Sequence, residues 1–264
     1  FSVTWNDPRF DMEARYLDIE ENFNPEVGFV PRTGIRKSRG KFTYKPRPGE
    51  RIPWIRDFKP SVSVDHITDQ ENELETRFLN TEITILFQDS SSLRFRRTAI
   101  FERLQEPFQI RPDQTIPGGD YQFQAYSVLF SGDRSRMFSG AVGLEKGDFF
   151  DGDQELYFLG FLFQPGHRLS AEPSWNYGQF DLPSGEFTTS LFRTRFQYSF
   201  STTMFLNALI QYNNTLGEIS SNLRFNWIYQ PLSDLFLVYN ERRSTTGEVR
   251  ERALIAKFTY VFNF

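Results

Sequence analysis

The 264 residues are enough for one large domain or two small ones, and 17% of them are aromatic, including 30 phenylalanines and 4 tryptophans. A mean hydropathy of −0.50, with no run near the roughly 18 apolar residues of a spanning helix, excludes a helical membrane protein. It does not exclude a barrel, whose strands offer only alternate residues to lipid. The formal charge of −4, with 30 basic residues, leaves no basic excess for nucleic acid. The absence of cysteine fits an envelope protein without requiring one. Phe1-Ser2-Val3-Thr4-Trp5 has neither the basic start nor the apolar core of a secretory signal. An outer-membrane protein with this sequence is therefore expected to be a mature chain or a piece of a longer one.

In chain order the sequence reads as strands throughout, about 14 of them, each near the roughly 9–11 residues of a tilted membrane strand. The first covers Phe10–Ile19, followed by an irregular segment over 21–34 and a poorly apolar strand over 35–45. A proline-rich, charged linker over 46–57 carries Trp54. Two strands flank Thr68-Asp69-Gln70-Glu71-Asn72, another holds Leu93 to Phe101, and a long loop runs over 104–119. From Tyr121 onward the spacing tightens into hairpins. Their turns fall at Ser131-Gly132-Asp133, Asp151-Gly152-Asp153, Gln164-Pro165-Gly166, Leu182-Pro183-Ser184-Gly185, Ser199-Phe200-Ser201, Asn213-Asn214-Thr215-Leu216-Gly217 and Gln230-Pro231-Leu232-Ser233. Gly, Pro, Asn, Asp and Ser are the residues such turns require. No repeat of 20–50 residues suggests a propeller or solenoid.

The alternation is cleanest in the last third. Phe192, Thr194, Phe196, Tyr198 and Phe200 oppose Arg193, Arg195, Gln197 and Ser199. Met204, Leu206, Ala208, Ile210 and Tyr212 oppose Phe205, Asn207, Leu209 and Gln211. Leu223, Phe225, Trp227 and Tyr229 oppose Asn222, Arg224 and Asn226. The eighth and thirteenth strands, which follow Asp151-Gly152-Asp153 and Gln230-Pro231-Leu232-Ser233, are apolar on both faces and leave the inward side open. The final stretch carries Leu254, Ala256, Phe258, Tyr260, Phe262 and Phe264 on one face. A soluble protein rarely leaves such a strand as a frayed edge. An outer-membrane barrel closes its ring with one, and Phe258, Tyr260, Phe262 and Phe264 resemble the C-terminal signal read by the barrel assembly machinery.

With the C-terminus periplasmic, counting strands backward puts Trp175, Tyr177, Tyr212 and Tyr239 near the outer surface. It puts Tyr198, Phe200, Trp227, Tyr229, Tyr260 and Phe262 near the periplasmic one, so two aromatic girdles emerge. The linker over 46–57 is long for a periplasmic turn, so either it folds into the interior or the early strand count is off by one. The competing reading is a soluble β-sandwich, whose strands also alternate.

At Asn22-Phe23-Asn24-Pro25-Glu26-Val27-Gly28-Phe29-Val30-Pro31-Arg32-Thr33-Gly34 the chain resembles the outer-membrane barrel domain of unknown function 5916. The same holds at Ile116-Pro117-Gly118-Gly119-Asp120-Tyr121, at Gln211-Tyr212-Asn213-Asn214 through Ile228-Tyr229, and at Leu235-Phe236-Leu237-Val238-Tyr239-Asn240-Glu241. Members of that family carry a signal and a family 9 carbohydrate-binding-like module ahead of the barrel. The resemblance implies that residues 1–264 are the C-terminal portion of one outer-membrane barrel domain. It brings no activity with it.

Catalytic chemistry has little to stand on. His167 sits in a solvated turn, and His66 follows Asp65, so only a serine nearby in space would make a hydrolase triad. Asp148, Asp151, Asp153 and Glu155 offer oxygen ligands for calcium without the spacing of an EF-hand, and read more simply as a solvated acidic hairpin. No catalytic residue, cofactor or metal is expected. The more informative constellation is the inward polar set Glu172, Arg193, Arg195, Gln197, Asn207, Gln211, Asn222, Arg224 and Asn226. It either lines a water-filled lumen, favouring anionic or hydroxyl-rich solutes, or neutralises itself inside a filled one.

The sequence therefore predicts an all-β, antiparallel transmembrane barrel in a bacterial outer membrane, facing lipid and lipopolysaccharide. Its function would be a channel for small solutes, saccharides among them. The alternatives are a non-conducting barrel that anchors a surface or periplasmic partner and, more weakly, a membrane-embedded hydrolase.

Overall fold

The computed structural model describes residues 1–262 apart from Val27, Phe29 and Pro31. The fold is all-β. The first strands are β1 (Ser2–Asn6), β2 (Phe10–Ile19), β3 (Ile35–Tyr44), β4 (Ile55–Thr68), β5 (Leu74–Phe87) and β6 (Ser92–Leu104). A two-stranded hairpin, β7 (Phe108–Arg111) and β8 (Gln114–Ile116), stands apart as its own sheet. The chain continues through β9 (Gly119–Ser131), β10 (Phe138–Phe149), β11 (Gly152–Phe163), β12 (Leu169–Leu182) and β13 (Gly185–Ser199). It ends with β14 (Met204–Asn213), β15 (Glu218–Gln230), β16 (Ser233–Ser244) and β17 (Val249–Thr259).

Fifteen of these strands form one sheet in chain order, skipping only β7 and β8, with β1 and β17 as its two edges. The sheet is not closed into a barrel. It holds one strand more than the expected fourteen or so. The addition is β1, whose five residues fall well short of the length used to recognise a spanning strand.

The turns form where the sequence places them. Asp69 Oδ1 accepts the amides of Glu71 and Glu73, and Asn213 Oδ1 accepts those of Thr215 and Leu216, so each side chain caps its own turn. Pro231 is followed by Leu232 at φ +61°, the left-handed position of a tight turn. The linker after β3 carries a single 3-10 turn over Gly49–Arg51. It is pinned back on the end of β5: the Trp54 ring stacks on Phe87 at 5.8 Å and the Trp54 carbonyl accepts the Gln88 amide. It adds no strand to the sheet, and Arg47 within it pairs with Asp57 of β4 at 3.3 Å.

By internal contacts the chain divides into two compact units. The first comprises Phe1–Phe130, Leu144–Glu155 and Phe180–Phe187. The second comprises Ser131–Gly143, Leu156–Gln179 and the chain from Thr188 onward.

In the first unit, antiparallel register builds rows of single character. Trp5, Met12, Phe42 and Val62 are successive cross-strand partners, as are Val3, Ala14, Gly40, Val64, Leu79 and Ala99. The opposite face carries the row Thr4, Glu13, Lys41, Ser63, Asn80 and Thr98. The second unit repeats the division. Phe196, Ala208, Leu223, Tyr239 and Leu254 form one apolar row, and Tyr198, Leu206, Phe225, Leu237 and Ala256 the next. Each residue along a strand alternates sides, so a single pairing register sorts every side chain.

The apolar rows are not covered. Trp5, Phe42, Val142, Leu159, Ile210 and Phe258 are all exposed, and Leu254 on the edge strand is 76% exposed. Buried apolar side chains are few, and Ile116 of the β7–β8 hairpin, at 1%, is the largest fully buried one among the described residues.

Close packing of strands leaves no room at Gly152, where β11 begins. A Cβ there would lie 2.0 Å from the Asp181 carbonyl oxygen and 2.9 Å from Leu182 Cα, both backbone atoms that cannot step aside. Gly152→Ala is expected to lower stability by about 1–3 kcal/mol through overpacking. The check is a fall in the urea midpoint of the folded protein, and an unchanged midpoint would contradict this contact.

Candidate functional site

The polar face of the first unit is built from matched charges. Lys45 Nζ lies 2.7 Å from Asp11 Oδ1, and Arg39 bridges Glu13 at 3.7 Å and Asp65 at 3.3 Å. Lys37 holds the other Asp65 oxygen at 3.0 Å. Arg96 and Arg94 both close on Glu82, at 2.6 and 3.6 Å. Asp65 is buried and both its oxygens face cations, as a buried carboxylate requires. The carboxylates and cations of this ladder answer one another within the face.

His66 is the partner residue of Ser38 and Arg77, in register with the apolar rows, whereas Asp65 pairs with Arg39 and Phe78 on the other face. Consecutive strand residues point to opposite sides, so Asp65 does not orient His66.

Also in the first unit, the β7–β8 hairpin packs on the turn between β12 and β13. Ser184 Oγ donates to the buried Gln114 Oε1 at 2.5 Å, and the Gln114 side chain fills the space beside Gly185. The Arg111 guanidinium lies over the Phe187 ring at 5.0 Å. Phe187 in turn stacks on Phe180 at 4.7 Å, and Phe180 meets Phe149 edge-on. The segment over 104–119, expected as one irregular loop, is thus a small latch seated on aromatic side chains.

The second unit differs. Arg193, Arg195 and Glu172 line one cleft of ≈ 200 Å³, as expected, and Arg134 joins them from the turn after β9. Small residues make its floor: Ser139 on β10, Gly160 on β11 and Ser174 on β12. Arg134 pairs with Glu172 at 2.9 Å. Among the described residues, the side chains of Arg193 and Arg195 make no ion pair or hydrogen bond, and both are exposed.

The remaining predicted lining residues fall in the adjoining rows. Gln197, Asn207 and Arg224 are successive partners across β13, β14 and β15, and Gln211 stands between Arg193 and Ser220. Asn222 donates to Asn240 Oδ1 and accepts from Arg224 Nε at 2.7 Å. Asn226 pairs with Phe205 and Phe236, and its Oδ1 is buried without a hydrogen-bond partner. Near the C-terminus, Phe258 stacks on Tyr229 at 5.5 Å and Tyr260 meets Phe262 at 4.5 Å. Phe264 lies outside the described residues.

The acidic hairpin residues do not converge as calcium ligands. Glu155 pairs with Lys146, Asp148 accepts the Gln124 amide at 3.3 Å, and no cluster of metal-ligating side chains occurs among the described residues.

Several site residues escaped the sequence. Arg134 sits in what reads only as a turn, in a loop organised by Asp133, whose Oδ1 accepts the amide and hydroxyl of Ser135 at 2.9 and 2.8 Å. These bonds, the backbone one foremost, hold the Asp133 carboxyl below its ordinary value of 3.8. A lowered pKa stabilises the loop above the unfolded value and loses that effect only as the pH falls through the folded one. Asn240 and Arg242 were hidden because β16 is apolar on both sides. Arg242 is clamped by Glu251 on β17 at 2.5 Å. The chain matches no protein-family model and no curated protein.

The latch is open to test. Gln114→Ala removes the acceptor of Ser184 and leaves the hairpin held by Arg111 and Ile116. Losing roughly 1–1.5 kcal/mol of local stability should make chymotryptic cleavage after Phe108, in the first strand of the hairpin, on the order of tenfold faster. Equal cleavage rates in the variant and the parent would contradict the tether.

Proposed function

We infer that this chain is the C-terminal portion of a transmembrane β-barrel of a bacterial outer membrane, passing small solutes, saccharides among them, through a polar interior. The observation that carries this reading is the sorting of each unit into an apolar face and a polar face, with the apolar face exposed. Soluble monomers rarely expose apolar patches beyond a few hundred Å². Here Trp5, Met12, Phe42, Val62 and Leu79 are exposed in one unit, and Phe192, Ile210, Tyr212, Leu223 and Trp227 in the other. Hydrocarbon is a solvent in which both the rows and their exposure are stable. Rings cluster at the ends of β13 and β15, with Tyr198 against Phe200 and Trp227 against Tyr229, as in a headgroup girdle, whereas Trp175 and Tyr177 meet in the middle of β12.

Strand parity supports a larger barrel. In an antiparallel sheet of fifteen strands the two edge strands run in the same direction, so closing the ring antiparallel takes an odd number of further strands. Such a ring has an even total, as bacterial barrels do, and leaves no unpaired backbone facing lipid. The resemblance to the outer-membrane barrel family, on motifs including Ile116 to Tyr121, agrees. In this reading lipid and lipopolysaccharide cover the apolar rows, and Phe258, Tyr260, Phe262 and Phe264 are what the assembly machinery reads.

A second reading, a non-conducting barrel that anchors a surface or periplasmic partner, is favoured by two observations. The charge ladder of the first unit satisfies itself, and the β7–β8 hairpin is latched down. Planar-bilayer recording of the folded protein decides between them. Stable conductance steps are expected for the channel. A heat-modifiable, membrane-inserted barrel without conductance would favour the anchor. A protein that stays monodisperse in water without detergent would sink both.

A further inference from the structure

We propose that the cleft formed by Arg193, Arg195, Ser139 and Ser174 is a binding site for a small oxyanion, the carboxylate, sulfate or phosphate group of an acidic solute. The inference rests on the reading of this face as solute-accessible and names the chemical class it selects.

Four observations converge. Arg193 and Arg195 are alternate residues of β13 and so share a face, their Cα atoms about 7 Å apart along the strand. That spacing lets two guanidinium forks close on one oxyanion from either side. Neither side chain has a carboxylate partner among the described residues, although the chain contains 34 acidic residues and the other polar face pairs its cations in ladders. Two like charges side by side are unfavourable unless an anion or solvent compensates them, so this stretch of sheet is poised for an anion.

The space is also right. Ser174 on β12, Gly160 on β11 and Ser139 on β10 have small side chains that leave the ≈ 200 Å³ hollow, and Ser139 offers a hydroxyl donor, while Ser174 Oγ donates to the Arg193 carbonyl at 3.4 Å. A Cβ on Gly160 would meet the Phe158 ring at 2.9 Å, so the floor is held low by a wall already in place. The volume is below the roughly 300 Å³ at which drug-sized ligand sites begin. It suits one anionic group with the remainder of the solute lying over the amides of Gln197, Asn207 and Gln211.

The fourth observation is Glu172. Its carboxylate would repel an anion, yet it is neutralised by Arg134 at 2.9 Å. The pair sets the strength of the site without abolishing it, because removing the carboxylate would free a third guanidinium.

The test is calorimetric titration of inorganic phosphate, and separately sulfate, into the folded protein in detergent, with glucose as the neutral control. Phosphate and sulfate should bind and glucose should not compete. The double variant Arg193→Gln, Arg195→Gln should lose at least about tenfold in affinity, the effect of losing charge-assisted hydrogen bonds. Glu172→Gln should bind more tightly than the parent. Arg9→Gln, at an exposed arginine of the first unit that sits beside Asp7 and outside the cleft, should leave affinity unchanged.

Absence of anion binding by the parent, or equal binding by the double variant, would overturn the site. So would weaker binding by Glu172→Gln, a variant that changes no backbone and keeps a hydrogen-bonding side chain. Binding in detergent does not depend on conduction. A conducting barrel without phosphate binding therefore defeats this inference alone, whereas phosphate binding by a non-conducting protein leaves the site standing and defeats the channel.

Discussion

The constraint on which the rest of the structure depends is the two-residue period of an antiparallel strand held in register with its neighbours. Once Phe196 faces Ala208, Leu223, Tyr239 and Leu254, the residues one step away, Gln197, Asn207, Arg224, Val238 and Ile255, must share the other side. A slip of one residue would exchange the two sets. The register is defended by rows of aromatic and branched side chains whose cross-strand contacts each contribute roughly 0.2–1 kcal/mol. It is defended also by the turns, in which Asp69 and Asn213 satisfy their own backbone amides. In the proposed barrel, lipid is the solvent that accepts Phe, Trp and Leu over many strands.

The polar faces of the two units obey different electrostatics. Asp65 is met by Lys37 and Arg39, and Glu82 by Arg94 and Arg96, so the cations of that face are held by carboxylates of the chain itself. Around Arg193 and Arg195 the one carboxylate lining the cleft among the described residues, Glu172, is already occupied by Arg134. Filling and recognition are two outcomes of the same residue types, and whether a cation has a partner decides between them. Farther along, amides replace charges: Asn222 with Asn240, and Gln197 beside Asn207. Amides bind hydroxyls and water without selecting sign, a suitable neighbour for a site that does.

Much of this was legible in the sequence, for particular physical reasons. Turns announce themselves through Gly, Pro, Asn and Asp, so the hairpins from β9 onward fall where those residues cluster. The alternation is clear in β13 and interrupted in β14 and β15 by Phe205, Leu209 and Ile228, and its polar side is the one that gathers Arg193, Asn207 and Arg224. Where alternation fails, so does the reading. β16 carries Phe236 and Val238 on its polar side, which concealed Asn240 and Arg242. β1 is too short to show a period, and β7 and β8 are shorter still. Arg134 lies in a loop, where no periodicity exists, and only its distance to Glu172 reveals its place. The Asp65–His66 idea failed for the simplest reason, that neighbours in a strand face apart.

The central claim is that one face of the sheet meets lipid and the other water. The chain contains no cysteine, so single-cysteine variants need no background removal. The most direct measurement is a scan along β14 from Leu206 to Gln211 in the bilayer-reconstituted protein, labelling each variant with a membrane-soluble and a water-soluble thiol reagent. The account predicts a two-residue alternation. Leu206, Ala208 and Ile210 should take the membrane-soluble reagent, and Asn207, Leu209 and Gln211 the water-soluble one. Aqueous labelling at all six positions, or a pattern without that period, would contradict it.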